Sequence, residues 1–148
     1  MSNVTFYLLN TPNPDDVYRV LCRLVDKAFQ QQQHAYIYTN TLEEAQRIDD
    51  LLWTFRDISF IPHQIGEITP TPDQLPVSIT IGTEEPKQAY YDILFNLAHE
   101  VPHFFPNFSR IIEMVAEEKS HKTYSRKKYK LYKEKNYALT MHNISLPC

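Results

Sequence analysis

The sequence predicts an α/β fold in which helices cover both faces of a mostly parallel central sheet. Short β-branched and aromatic runs alternate along the chain with stretches whose apolar residues recur at three- and four-residue spacings. This alternation of strands and helices favours parallel pairing through helical crossovers. The 148 residues, 43% of them hydrophobic, suffice for a buried core, and no repeat or linker interrupts them. We therefore expect a single domain over residues 1–148.

The first predicted strand is "VTFYLL" at residues 4–9, and a helix follows the turn "NTPNPDD". Asp15 or Asp16 is the expected N-cap of this helix, because a side-chain carboxylate can accept from the free backbone N–H groups of the first turn. The apolar stripe that predicts the helix consists of Val17, Val20, Leu21, Leu24, Val25 and Ala28.

The second strand is predicted at residues 34–40, "HAYIYTN". Thr41 and Glu44 have the S/T-x-x-E spacing of a capping box, in which each residue satisfies a backbone N–H of the other. They predict a second helix that runs through Leu51, Leu52 and Trp53.

The remaining elements follow a proline-rich region. Residues 59–65 are predicted to be extended, and 77–82, "VSITIG", to be a strand. Residues 92–97 are compatible with the end of a helix or with a buried strand, and we favour the strand because a loop rich in Pro and aromatic residues follows. Residues 110–115 are predicted as a further strand, and about 117–135 as a C-terminal helix.

Charge is distributed unevenly along this chain. The net charge is −3, but His121–Tyr137 contains seven Lys and Arg residues and one Glu, which leaves −9 on the rest. This asymmetry indicates an anionic partner for the basic helix, and the acidic body disfavours a long nucleic-acid footprint. Residues from about 140 to 148 are predicted to be a short flexible tail.

Several classes of function are disfavoured. The two glycines, Gly66 and Gly82, do not form either glycine-rich phosphate loop, so we expect no conventional nucleotide site. No cofactor is predicted. Cys22 lies in a helical pattern and Cys148 is terminal, so free thiols are expected. No signal peptide or apolar run of ~20 residues is present, which predicts a cytoplasmic protein.

"HEVPH" at residues 99–103 matches the H-E-x-x-H zinc motif of metalloproteases. That chemistry needs both histidines on one face of a regular helix, whereas Pro102 lies between His99 and His103 and disfavours a helix there. We interpret the two histidines as surface residues of a turn, with a metal-dependent hydrolase as the weaker hypothesis. No catalytic residue is predicted.

Two candidate binding surfaces remain. On the basic helix, Lys122, Arg126, Tyr129, Lys130 and Lys133 share one face, whereas Tyr124, Leu131 and Tyr132 are expected to pack inward. A solvated charged face explains the pattern equally simply, but the concentration of charge favours binding of carboxylates or phosphates. The second surface is "LLWTFRDISFIPH" at 51–63, whose aromatic residues suit either core packing or a protein interface.

The sequence resembles the chi subunit family of bacterial DNA polymerase III holoenzyme. The similarity runs the length of the chain and rests on the order and spacing of several blocks: "TFYLL", "A-x-R-I-D-D-L-L-W", "SFIPH", "DILFNL", "PHFFPNFSRIIEMV" and "R-x-x-Y-K-x-Y-K". The resemblance implies a three-layer Rossmann-like domain without catalytic activity. It also implies a subunit that joins the clamp loader, through the psi subunit, to the acidic C-terminal tail of single-stranded DNA-binding protein.

The resemblance also implies where these partners bind. The site for the acidic tail would comprise Lys122, Arg126, Tyr129 and Lys130, with Val115 on its apolar side. The site for psi, or for a helicase in its place, would comprise Trp53, Phe60, Pro62 and His63. Where family members often have glycine after the basic helix, this chain has Asn136, which tolerates a left-handed, helix-ending turn.

Three hypotheses follow, and the leading one is a non-catalytic bridge at the replisome. The alternative is direct binding of single-stranded nucleic acid by the same helix, with tyrosines stacking on bases. The third is the metal-dependent hydrolase at "HEVPH".

Overall fold

The fold is built on a sheet of parallel strands. The computed structural model describes residues 3–54, 63–66, 79–87 and 91–144. Its strands are β1 (Asn3–Leu9), β2 (Ala35–Tyr38), β3 (His63–Ile65), β4 (Ile79–Gly82), β5 (Ile93–Asn96), β6 (Arg110–Val115) and β7 (Ala138–Ile144). They lie in the order β3-β4-β2-β5-β6-β1-β7, and every described pair is parallel. The predicted mostly parallel sheet is confirmed, and residues 92–97 contain a strand rather than the end of a helix.

Helices lie on both faces of this sheet. They are α1 (Pro14–Gln30), α2 (Leu42–Thr54) and α3 (Lys119–Glu134), with a one-turn 3₁₀ helix at Phe105–Asn107. One core lies between the sheet and α1 and α2, and the other between the sheet and α3. Strand β6 serves both cores, because Ile112 and Met114 face α1 and α2 while Ile111 and Val115 face α3. The three-layer α/β architecture is therefore confirmed.

The N-cap of helix α1 lies two or three residues before the predicted one. The Asp15 N–H donates to Asn13 Oδ1 (3.0 Å), so Asn13 is the N-cap and Pro14 occupies the first helical position. Proline suits this position because its fixed φ is helical and the missing N–H has no partner in the first turn. Asp15 and Asp16 instead lie in the first turn, where their charge interacts favourably with the helix dipole.

Helices α1 and α3 both end in a left-handed residue that is not glycine. Asn136 has φ 63°, its N–H donates to the Lys133 carbonyl (3.0 Å), and the next N–H, of Tyr137, donates to the Tyr132 carbonyl (3.1 Å). These are the two hydrogen bonds of a Schellman motif. Gln32, with φ 59°, ends α1 in the same way. The predicted helix-ending turn at Asn136 is confirmed.

The predicted capping box of α2 forms in part. The Glu44 N–H donates to Thr41 Oγ1 (3.2 Å), as expected. The Glu44 carboxylate reaches one residue further back than the motif requires and accepts from the Asn40 N–H (3.1 Å).

Strand β7 corrects the prediction of a flexible tail at 140–148. Residues 140–144 belong to this strand, which pairs in parallel with β1 from Asn3↔Ala138 to Leu9↔Ile144. The strand forms because β1 offers an unpaired edge, where alternate residues of β7 satisfy ladder hydrogen bonds. Residues 145–148, including Cys148, lie outside the described residues.

The described α-helices have 13 to 17 residues each. None of them combines the length and the apolar character needed to cross one.

Candidate functional site: the basic helix and its two grooves

Helix α3 is held on the sheet by the buried carboxylate of Glu113 in β6. Lys128 Nζ lies 2.9 Å from Glu113 Oε1 and donates to the Ala98 carbonyl as well. The Tyr132 hydroxyl (2.6 Å) and Asn96 Nδ2 (2.8 Å) donate to Glu113 Oε2. Burial, together with the charge of Glu113, raises the pKa of Tyr132, so its hydroxyl stays protonated and donates. This network gives the buried charge a counterion and hydrogen bonds to both oxygens.

The network also fixes how α3 is rotated about its axis. Lys128 and Tyr132 are one turn apart and both point into the sheet, so the residues on either side of them point to opposite flanks of the helix. Lys122 and Arg126 lie on the flank that faces β1 and β7. Tyr124 lies on the flank that faces the loop after β5. Each flank borders a groove.

The first, which we call the cationic groove, lies between α3 and the carboxyl ends of β1 and β7. Its volume is about 460 Å³. Lys122 and Arg126 are exposed on its α3 wall, and buried Val115 contributes to its floor. Its lining residues are Leu8, Leu9, Asn10, Val115, Ala116, Glu117, Lys122, Ser125, Arg126, Asn143 and Ile144. Three of the five residues predicted for an acidic tail therefore line one concavity.

The other two predicted residues lie further along α3. Tyr129 is half-buried, and its ring centroid is 5.9 Å from that of Phe6, so most of this ring packs on the second core. Lys130 is exposed and does not line the cationic groove. It extends the cationic surface towards the end of the helix.

The first turn of α3 is attached to β6 through a histidine. The Ala116 N–H donates to His121 Nδ1 (3.3 Å), which requires that this nitrogen carry no proton. Burial lowers the pKa of His121, and the nearby charge of Lys128 acts in the same direction. The neutral imidazole therefore positions the turn that carries Lys122.

The second groove lies on the opposite flank of α3, with a volume of about 930 Å³. Its α3 wall contains Tyr124, Lys127 and Leu131, and the facing wall is the loop that includes His99. The rings of His99 and Tyr124 are stacked, with centroids 4.4 Å apart and planes 7° apart. Tyr124 and Leu131 are half-buried in this groove, whereas Tyr132 is fully buried as predicted.

The "HEVPH" segment does not form the helix that its zinc motif requires. Residues 98–104 comprise bends, a turn and, between them, two residues without regular structure, and the two histidines have different partners. The His99 N–H donates to Asn40 Oδ1 (3.1 Å), whereas His103 Nε2 lies 2.6 Å from Glu85 Oε1. Within the described residues, no three His, Cys, Asp or Glu side chains are grouped as metal ligands. The interpretation of surface histidines in a turn agrees with this geometry.

A smaller cavity of about 140 Å³ lies at the carboxyl ends of β1 and β6. The connections from these two strands leave in opposite directions, and such switch points are where α/β sheets commonly bind ligands. Here the polar lining groups bond one another: Glu44 accepts from the Tyr18 hydroxyl (2.9 Å) and from the Asn40 N–H. Burial and the bond to Glu44 raise the pKa of Tyr18, which keeps this hydroxyl a donor. Tyr18, Asn40 and Glu44 therefore satisfy one another at the wall of this cavity.

Only part of the predicted aromatic surface lies within the residues that the structure describes. Trp53 is 53% exposed at the end of α2, and Leu42, which is 56% exposed, lies on the same face three turns earlier. The ring of His63 is 5.0 Å from that of Trp53, and its Nε2 lies 3.0 Å from Asp49 Oδ1. Phe60 and Pro62 lie outside the described residues. Trp53 is thus an exposed aromatic side chain, whereas the imidazole of His63 next to it is buried.

Sequence reasoning missed two features of this region. Lys128 is one of the seven basic residues that predict a cationic helix, but it is buried, and Glu113 in the otherwise apolar strand "RIIEMV" is the signal in the sequence for a buried cation nearby. Met141, which is 49% exposed, falls within the predicted flexible tail, whereas the structure places it on β7.

Comparison with known proteins identifies the family. The family described as "DNA polymerase III chi subunit, HolC" matches residues 1–140. The chain belongs to this family. It is 36% identical over 146 residues to the DNA polymerase III subunit chi of Pseudomonas aeruginosa, covering 97% of this chain and 98% of that one. The corresponding subunits of Haemophilus influenzae and Escherichia coli are 28% and 27% identical, and each match covers 94% of this chain and 95% and 96% of theirs. The chain is thus an accessory subunit of a bacterial replicative polymerase.

The fold also matches a solved structure outside this family. The crystal structure of T4 UvsW superposes with a TM-score of 0.68 at 9% identity, covering 97% of this chain and 42% of UvsW. At this identity the match concerns the α/β fold alone.

Proposed function

We propose that this chi-family chain is a non-catalytic bridge that binds the acidic C-terminal tail of single-stranded DNA-binding protein and, through psi, the clamp loader. The observation that carries the proposal is the cationic groove, in which Lys122 and Arg126 stand above the apolar floor at Val115. Such a role would place the chain at the replisome in the cytoplasm.

The cationic groove has the chemistry that an acidic peptide with an apolar terminus needs. Arg126 offers a guanidinium fork that can bind a carboxylate in a bidentate manner, and Lys122 adds a second positive charge one turn away. The floor contributes the side chains of Leu8 and Val115, against which an aromatic side chain can be desolvated. Glu117 at the rim is the one acidic residue among the lining side chains.

The rest of the molecule favours a short contact at this site. The chain outside His121–Tyr137 has a charge of −9, which repels a long phosphate backbone more than a short peptide. Burial of Lys128 against Glu113 removes one positive charge from the surface of α3 and leaves the cations at the groove exposed.

The surface for psi, or for a helicase that takes its place, is proposed at Trp53. An exposed indole is a frequent energetic centre of protein interfaces, and exposed Leu42 on the same face of α2 extends the apolar surface. His63 supports the indole from beneath. Because α2 and α3 lie on opposite faces of the sheet, both partners can bind at once.

Fluorescence anisotropy with a labelled acidic peptide ending in Phe tests the proposal. We expect salt-sensitive binding that Arg126→Glu weakens at least tenfold, because the substitution replaces an attractive charge with a repulsive one. Lys127→Glu is the matched control: it makes the same change of charge on the same helix but lines the second groove. Equal losses in the two variants would show general electrostatic attraction and refute the site.

A labelled oligonucleotide measured beside the peptide tests the alternative function. The bridging role predicts much weaker binding of bare single strands at moderate salt than of the peptide. Tighter binding of the oligonucleotide, lost in Tyr129→Ala, would instead favour direct nucleic-acid binding.

A further inference from the structure

We propose that the free edge of β7 binds the acidic segment as an added, eighth strand beside the cationic groove. This inference rests on the proposed function and specifies how the backbone of the acidic peptide is held. Side chains of the peptide would bind in the cationic groove, and its main chain would hydrogen-bond to the edge of β7.

The orientation of β7 follows from one hydrogen bond. The Asn10 N–H donates to the Ile144 carbonyl (3.3 Å), so the backbone groups of Ile144 point towards β1. Successive residues of a strand point their backbone groups to alternate sides, so those of Leu139, Met141 and Asn143 point away from β1. In the described sheet β7 is the last strand, and this outward edge is where a further strand can pair.

The same three residues place their side chains on the face of the sheet that carries α3. Met141 pairs in register with Phe6, whose ring packs against Tyr129 and Tyr132 on that face. Asn143 itself lines the cationic groove. Met141 is thus an exposed apolar side chain directly beside the groove, on a strand whose edge is open.

Charge identifies the occupant as an acidic segment. Helix α3 and β7 run antiparallel because only residues 135–137 connect them. The basic side chains of α3 therefore lie beside β7 along the length of the strand. An added strand would direct alternate side chains towards this row, which comprises Lys122, Arg126, Lys130 and Lys133. A second copy of the chain would bring two such rows together and be repelled, whereas a segment with acidic residues is attracted.

The first test compares two substitutions at one position by peptide anisotropy. Met141→Ala removes the side chain only, whereas Met141→Pro also removes the outward N–H. Proline is compatible with an edge strand whose N–H faces solvent, and no ladder hydrogen bond to β1 is lost. We expect Met141→Pro to bind the peptide at least about fivefold more weakly than Met141→Ala, the equivalent of one net backbone hydrogen bond.

The second test uses the unmodified chain. Amide hydrogen exchange measured by NMR should slow at Leu139, Met141 and Asn143 when the peptide binds. A peptide N-methylated at alternate residues retains every side chain and should lose both this protection and most of its affinity. This measurement decides the question even if Met141→Pro does not fold.

The outcomes separate the two proposals. Peptide binding that depends on Arg126 but is equal in Met141→Ala and Met141→Pro, without slowed exchange, would overturn strand addition and leave the bridging role intact. Absence of any peptide binding to the unmodified chain would overturn the bridging role itself.

Discussion

Replacing Lys128 with methionine tests the buried network that holds α3. Methionine keeps the length and apolar character of the lysine stem, so the substitution removes the ammonium group with little change in packing. The carboxylate of Glu113, which is 1% exposed, then has no counterion, and the Ala98 carbonyl loses its donor. The Tyr132 hydroxyl and the Asn96 amide remain as hydrogen-bond donors to Glu113.

The expected cost is large because one partner of a buried ion pair remains behind. Removing one partner of such a pair typically costs about 3–5 kcal/mol, and the 10% and 1% exposure of these side chains places the pair in that class. A whole domain is stable by only about 5–15 kcal/mol. For a chain of this length the loss corresponds to a fall in melting temperature of roughly 10 °C.

Urea unfolding followed by circular dichroism measures this loss. Lys127→Met is the control, since Lys127 is exposed on the same helix and should change the free energy of unfolding by less than about 0.5 kcal/mol. The double variant Lys128→Met/Glu113→Gln should be more stable than Lys128→Met alone, because neither buried charge remains. A cost below about 1 kcal/mol for Lys128→Met, or no recovery in the double variant, would refute this account.

Two further predictions concern helix ends and pH. Gln32→Gly should raise the free energy of unfolding by about 0.5–1 kcal/mol, because φ 59° strains a residue with a Cβ atom. Gln31→Gly is the control and should give no such gain, because Gln31 has φ −88°. Equal melting temperatures of the two variants in thermal melts would contradict this prediction. Because burial lowers the pKa of His121, its contribution to stability is present above the unfolded pKa of 6.5 and is lost as the pH falls through the folded value. His121→Asn retains an acceptor for the Ala116 N–H and does not titrate. The free energy of unfolding of this variant should therefore fall less between pH 7 and 5 than that of the unmodified chain. An equal fall for both in urea titrations would show that another group is responsible.

Much of the fold follows from local pattern. The stripe of α1 predicted the side that is buried, and Leu24 at its margin is half-buried rather than buried. Short apolar runs predicted β1, β2, β4, β5 and β6, because a strand covered on both faces needs apolar residues at nearly every position. The predicted cap of α1 is two or three residues too late, since Asn13 and the aspartates that follow it are all chemically able to cap a helix.

The groove residues were only partly predictable. A helical wheel places Lys122 and Arg126 on one face, but it does not say what lies opposite that face. Val115 came from the family resemblance, and it lies in the same concavity only because β6 is next to β1 in the sheet and α3 crosses above both.

The sequence by itself determined the α/β class, the family and the basic face of α3, since each depends on composition, order or spacing along the chain. Only the tertiary structure decided that Lys128 is buried, that the last strand lies beside β1, and that α3 has grooves on both flanks. The physical reason is that these features depend on pairs of residues far apart in sequence, such as Glu113 with Lys128 and Phe6 with Met141. A local pattern gives each partner its secondary structure, but the chemistry of the site appears only when the sheet order brings the partners together.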